Sequence, residues 1–195
     1  MKNATMKRLV DICAALFGLV LSSPLVAVAV LAIRRESPGP AIFRQQRVGR
    51  WGRQFTCYKL RTMYVGTAHL PTHETQASAI TPLGQKLRRW KLDELPQLFN
   101  VLTGEMSLVG PRPCLPTQTA LIEARRTRNV FAVRPGITGL AQVRGIDMSE
   151  PARLAAVDAE YVGHASLLGD MRLVLATALG SGRGVDRIAQ CPLKK

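Results

Sequence analysis

Residues 12–33 read ICAALFGLVLSSPLVAVAVLAI, without a single charged side chain. A helix of about 20 apolar residues crosses a hydrocarbon core of roughly 30 Å, so this stretch decides whether the chain belongs in a membrane. Three readings fit parts of it. Lys7 and Arg8 before the run and Ala27-Val28-Ala29 within it resemble a cleaved signal peptide. The run is too long for one, however, and cleavage would export unpaired cysteines. A single spanning helix is the simplest alternative. The third is a re-entrant hairpin broken at Ser22-Ser23-Pro24. Pro24 lacks a donor and crowds the carbonyl of Val20, at roughly 3 kcal/mol inside a helix. The arms on either side hold about 14 and 10 residues, or roughly 21 and 15 Å, and neither crosses a bilayer alone.

The flanks are basic. Lys2, Lys7 and Arg8 precede the run, and Arg34 and Arg35 follow it. From Arg34 to Arg61 there are eight basic residues and one acid, Glu36. The positive-inside rule places both ends in the cytoplasm, which a hairpin satisfies. Asp11 then sits at headgroup level, where a charge is cheaper than at the bilayer centre. On residues alone, hairpin and span both remain open.

The formal net charge of +14 requires an anionic partner: nucleic acid, an acidic membrane surface or a phosphorylated substrate. The arginines are spread along the chain, unlike a disordered basic arm. Aromatics, at 5%, are too sparse for a platform that stacks single strands. Cys13, Cys57, Cys114 and Cys191 show no zinc or disulfide spacing, which fits a reducing cytoplasm. His69 and His73 are four apart, but Pro71 between them argues against a helical metal pair.

Beyond the anchor the length suits one domain. Ala41-Ile42-Phe43 and Phe55 to Leu60 read as strands joined by a glycine-bearing turn, Arg47 to Arg53. Gly66 to Thr81 reads as a mobile loop, and Leu83 to Lys91 as a basic helix with Trp90 suited to a membrane interface. A helix is expected from about Pro116 to Arg128. Arg134 to Leu140 reads as a rigid turn leading to a short strand, Ala141-Gln142-Val143. Pro151 to Leu179 reads as two helices parted near Gly163, with Asp158 and Asp170 as surface acids.

Trp90-Lys91-Leu92-Asp93-Glu94-Leu95-Pro96-Gln97-Leu98-Phe99-Asn100 carries two adjacent carboxylates at the start of an expected helix. Leu95, Leu98, Phe99 and Leu102 have the spacing of one apolar helix face. Pro96 fits a first turn, and Gly104 a helix stop. Acids so placed are often no more than caps. Here Lys86, Arg88, Arg89 and Lys91 precede them and Gly110-Pro111-Arg112-Pro113 follows. An ionised nucleophile among guanidinium groups suits phosphoryl chemistry on an anionic substrate.

These residues, with Lys7-Arg8-x-x-Asp11, Ser23-Pro24, Pro38-Gly39-Pro40, Phe43-Arg44-Gln45, Arg47-x-Gly49, Tyr58 to Met63, Arg134 to Gly139 and Asp158-x-x-Tyr161, resemble the small monotopic phosphoglycosyl transferases, the bacterial sugar transferase family. The likeness runs from Lys7 to about Leu179. It implies a mixed α/β fold: a re-entrant helix-break-helix anchor hinged at Ser23 and Pro24 (1–35), a compact catalytic domain with interfacial helices and a few short strands (36–180), and a tail (181–195). The tail is short and glycine-rich, and the absence of a long N-terminal extension suggests the minimal catalytic form.

The implied activity is transfer of a sugar 1-phosphate from a UDP-sugar to a polyprenyl phosphate, with Mg²⁺, at the cytoplasmic face of the bacterial inner membrane. The partners are those substrates and membrane lipids, with no nucleic acid. Asp93 would be the nucleophile and a metal ligand, and Glu94 would position Asp93, the metal or the acceptor. Arg112, between two prolines, is the leading phosphate clamp, since a guanidinium is bidentate and always charged. Lys59, Arg88 and Arg144 are further candidates, with Glu105 and Asp158 in support. Arg144 stands where family members often carry a small or polar residue. The rival class is a non-catalytic basic membrane adaptor, indifferent to Asp93 and Glu94.

Overall fold

Proline within the apolar run does not end the helix. In the computed structural model, which describes residues 4–66 and 79–180, helix α1 runs from Ala4 to Glu36 with Pro24 inside it. The two expected arms are thus joined. Pro24 deprives the Val20 carbonyl of its usual donor, and the Ser23 hydroxyl donates to that same carbonyl at 2.8 Å. α1 is long and apolar enough to cross a membrane, and only 11% of its most apolar window is buried by the rest of the chain. A core helix of a soluble protein would be mostly covered.

Strands β1 (Ile42–Val48) and β2 (Gln54–Leu60) form an antiparallel hairpin, with Ile42 opposite Leu60 and Val48 opposite Gln54. The turn needs left-handed backbone at Trp51 (φ 59°) and Gly52 (φ 73°). The expected loop at 66–81 falls largely on 67–78, as do His69 and His73, and the tail is 181–195; all lie outside the described residues. Helix α2 (Pro82–Arg89) begins at Thr81, whose hydroxyl accepts from the Gly84 N–H at 2.9 Å. A 3₁₀ turn, Leu92–Glu94, leads into α3 (Gln97–Thr103), which ends at left-handed Gly104 (φ 88°).

Strand β3 (Ser107–Val109) pairs in parallel with β4 (Gly136–Thr138). The expected strand at Ala141-Gln142-Val143 is instead part of a helical turn, α5 (Leu140–Val143), and the strand lies inside the presumed rigid turn. Glycine is the reason. A Cβ on Gly136 would lie 2.0 Å from the Gly110 nitrogen, and one on Gly139 2.2 Å from the Gly110 oxygen. Backbones touch there, and only residues without side chains permit it. Helices α4 (Thr119–Arg126), α6 (Pro151–His164) and α7 (Leu167–Ala178) complete the domain.

Both ends of α1 pack on this one domain. Near its start, Ala15 joins Phe55, Cys57, Val101 and Met106 in a buried cluster, and Gly18 lets Leu98 approach. Lys7 reaches Asp170, Asp11 accepts from Ser107 and Leu108, and Arg8 donates to the Val101 and Leu102 carbonyls at the end of α3. Near its finish, Ala29 and Ile33 pack with Ala41, Leu60 and Leu87. Burial in α3 follows the expected stripe in part, with Leu98 and Leu102 packed on the Ala15 cluster. Gln97, Asn100 and Val101 are inside, whereas Phe99 is 51% exposed and meets Tyr58 edge-on at 5.8 Å. Asn100 accounts for the departure: it accepts from Tyr58 N–H and donates to the Thr56 carbonyl and to Glu105, pinning α3 to β2.

Candidate active site

The carboxylates occupy the 3₁₀ turn ahead of α3, not its first α-helical turn, and Pro96 stands at the cap position. Lys91, left-handed at φ 55°, swings the chain out of α2 and into that turn. Neighbouring cations, not a helix macrodipole, hold Glu94 ionised. Lys59 Nζ donates to Glu94 Oε1 at 2.9 Å, and Arg112 Nη2 to the same oxygen at 2.6 Å. Burial pushes the Glu94 pKa up, but Arg112 and Lys59 together outweigh it and hold the carboxyl far below its ordinary range.

Asp93, Glu94, Lys59, Arg88 and Arg112 all line one cavity of about 680 Å³. Asp93 and Glu94 are its only lining carboxylates among the described residues. The opposite wall comes from β1, the end of β2 and, through Val30 and Arg34, the anchor helix itself. Arg88 is steadied by the Thr62 hydroxyl at 2.9 Å. Five of the candidates from sequence thus converge.

Three do not line the cavity. Arg144 forms a two-pronged pair with Glu160, and both side chains are nearly half exposed. Glu105 holds Asn100 and Thr103, a structural role in the α3–β2 pin. Asp158 is not a surface acid: it is 2% exposed and paired with Arg125, with burial raising its pKa against the pull of that guanidinium. Asp170 is likewise buried, accepting from Lys7 and from the Tyr161 hydroxyl.

Sequence reading missed how the Arg112 loop is held. Its successive carbonyls are each engaged: Pro111 by Gly136 N–H, Arg112 by Arg125 at 2.9 Å, Pro113 by Arg47 at 3.0 Å and Cys114 by Val48 N–H. Arg125 is itself 2% exposed, so Asp158 acts on Arg112 through it. Arg47 keeps its charge at neutral pH although burial lowers its pKa to about 10. The Phe43-Arg44-Gln45 and Arg47 segment was the available signal, since all four line the cavity.

Residues 2–182 match the family model described as Bacterial sugar transferase. The chain belongs to this family. The sugar transferase is 43% identical over 180 residues to the UDP-glucose:undecaprenyl-phosphate glucose-1-phosphate transferase of Caulobacter vibrioides, covering 88% of this chain and 67% of that protein. It is 39% identical over 186 residues to the protein of the same name from Escherichia coli K12, covering 90% of this chain and 40% of that one. An exopolysaccharide production protein, PSS, of Rhizobium leguminosarum is 37% identical over 195 residues, covering 91% and 95%. The sugar transferase thus spans about two thirds of the Caulobacter relative and two fifths of the E. coli one, while matching nearly all of PSS.

Proposed function

We propose that the chain transfers a sugar 1-phosphate from a UDP-sugar to a polyprenyl phosphate, releasing UMP. What carries this reading is the Asp93-Glu94 pair set among Lys59, Arg88 and Arg112 in a cavity walled partly by the membrane helix. The named activities of the Caulobacter and E. coli relatives agree with it.

A carboxylate oxygen of Asp93 attacks the β-phosphorus of the donor. The bond from that phosphorus to the bridging oxygen breaks, and the oxygen leaves with UMP. A phosphate oxygen of the lipid then attacks the same phosphorus and displaces the Asp93 carboxylate. Two displacements let one site handle a soluble donor and a membrane acceptor in turn. Glu94 holds Lys59 and Arg112 where the donor's diphosphate will lie, so their charges are in place before substrate arrives. No group of three or more potential ligands gathers among the described residues. Mg²⁺ nonetheless fits, since it takes one or two carboxylates plus substrate phosphates and water. Asp93 would hold it, and its charge would offset the repulsion between carboxylate and diphosphate.

The same reading makes α1, one helix continuous through Pro24, an anchor that enters and leaves the inner membrane at its cytoplasmic face. Its support is that both ends of α1 pack on the catalytic domain, which leaves no room for a bilayer between them. Ser23 and Pro24, in the middle, are exposed. The test of function is UMP release from UDP-sugar and Mg²⁺ before any lipid is added, at about one per enzyme. Asp93→Asn should abolish it; a variant turning over normally would remove Asp93 as nucleophile.

A further inference from the structure

One cationic edge of the cavity has no part in holding the carboxylates. Arg34 lies on α1 one turn after Val30, and these two residues are the whole contribution of α1 to the cavity wall. Among the described residues no hydrogen bond or ion pair engages Arg34. It is exposed, at the C-terminal end of the helix beside Arg35 and Glu36, which are exposed too, and just after the exposed apolar positions Val28 and Leu31.

The ground beneath it is prepared for an anion. A helix C-terminus ordinarily repels phosphate, because its last carbonyls are unpaired and carry the negative end of the dipole. Here buried Arg61 sits just past the helix end, donating to the Ser37 and Pro38 carbonyls, to the Ser37 hydroxyl and to one helical carbonyl, that of Ile33. The lining of the same cavity includes apolar Val30, Ala41, Ile42, Leu60, Met63 and Val65. A basic head next to an apolar strip, opening from the membrane helix, suits an amphiphile with one phosphate and a hydrocarbon tail. It does not suit a nucleotide.

We infer that Arg34, backed by Arg61, receives the phosphate of the polyprenyl acceptor, with Val30 and Ile42 against its first isoprene units. This phosphate site is distinct from the Lys59–Arg112 clamp. The inference rests on the two-displacement reading above and divides the cavity between its substrates. The donor enters beside Lys59 and Arg112, and the acceptor arrives along α1. A phosphomonoester carries nearly two charges against one for most phospholipids, which favours the acceptor over bulk headgroups at this edge.

The experiment uses the full chain in nanodiscs of zwitterionic lipid and compares wild type with Arg34→Gln and Arg34→Lys. With UDP-sugar and Mg²⁺ alone, the UMP burst per enzyme is expected to match wild type in both, which also shows that the variants are folded. With acceptor present, the KM for polyprenyl phosphate should rise about tenfold in Arg34→Gln and less in Arg34→Lys, the loss of one charge-assisted contact. An unchanged acceptor KM, or a burst and a KM that fail together, overturns the assignment. Anionic phospholipid titrated into wild-type nanodiscs should leave the acceptor KM unchanged; competition would assign Arg34 to bulk headgroups and overturn it. A wild-type enzyme without any burst would refute the two-step reading itself, a result separate from these.

Discussion

Two clusters of buried acid lie among the described residues, and burial does not tell them apart. Asp93 and Glu94 are 8% and 7% exposed, and Asp11 and Asp170 are 4% and 5%. Each cluster has its cations: Lys59 and Arg112 in one, Lys7 in the other. The difference is what lies on the remaining side. Asp11 and Asp170 are answered by protein groups, namely the Ser107 hydroxyl, the Leu108 N–H, Lys7 and the Tyr161 hydroxyl. That cluster is sealed and fastens α1 to β3 and α7. Asp93 and Glu94 open onto the cavity. A charged group with protein on every side is a fastener, whereas one that faces space large enough for a ligand can do chemistry.

The sharpest way to break this division is to neutralise one acid on each side. Asp93→Asn should lower turnover by on the order of 10³-fold or more while leaving the melting temperature nearly unchanged, as activity and thermal unfolding in the same detergent will show. Asp170→Asn should do the reverse. It leaves Lys7 with Asp11 alone for counter-charge, 4.0 Å away, and should cost about 1.5–3 kcal/mol of stability, with UMP release per folded molecule within about threefold of wild type. Loss of chemistry without loss of stability in Asp170→Asn would dissolve the distinction.

A second division concerns Arg112 and Arg125. Arg112→Lys keeps the charge but not the fork, and should lower kcat/KM by about 10- to 100-fold at unchanged stability. Arg125→Met should instead unfold the protein more readily by about 3–5 kcal/mol, because Asp158 is left buried and unpaired.

The clusters should also answer pH in opposite directions. Glu94 has a folded pKa below its ordinary 4.5, so the stability it contributes is present above pH 4.5 and fades as pH falls further. Tyr161 is pushed above its ordinary 10.0 by burial and by Asp170, so its contribution is full below pH 10 and fades as pH rises beyond it. Denaturation midpoints followed over both ranges, with Tyr161→Phe flattening only the alkaline limb, check this. The smallest effect belongs to Arg144→Gln. Its pair with Glu160 lies at the surface, and its loss should leave the melting temperature and the activity nearly unchanged.

The residues that could be read in advance are those whose meaning is local. The apolar run, the hairpin turn, Gly104 as a helix stop and the adjacent acids each announce themselves within about ten residues of sequence. The errors share one cause, which is pairing across long stretches of chain. Asp158 looked like a surface acid because its partner Arg125 lies 33 residues away, and Asp170 because Lys7 lies 163 away. The α3 stripe held for Leu98 and Leu102 but not for Phe99, because Asn100 turns inward to Thr56 and Tyr58 on β2. Arg112 was the leading clamp and Arg144 a further candidate, and only the first has Glu94 for a neighbour. Pro24 promised a break that Ser23 was placed to heal.

The most direct test of the account is to load the enzyme with UDP-sugar and Mg²⁺ in the absence of acceptor, quench it, and weigh its peptides. The account predicts that the peptide containing Asp93 gains the mass of one sugar phosphate, and that polyprenyl phosphate added before the quench removes it. An unmodified Asp93 peptide, with UMP appearing only when both substrates are present, would contradict it.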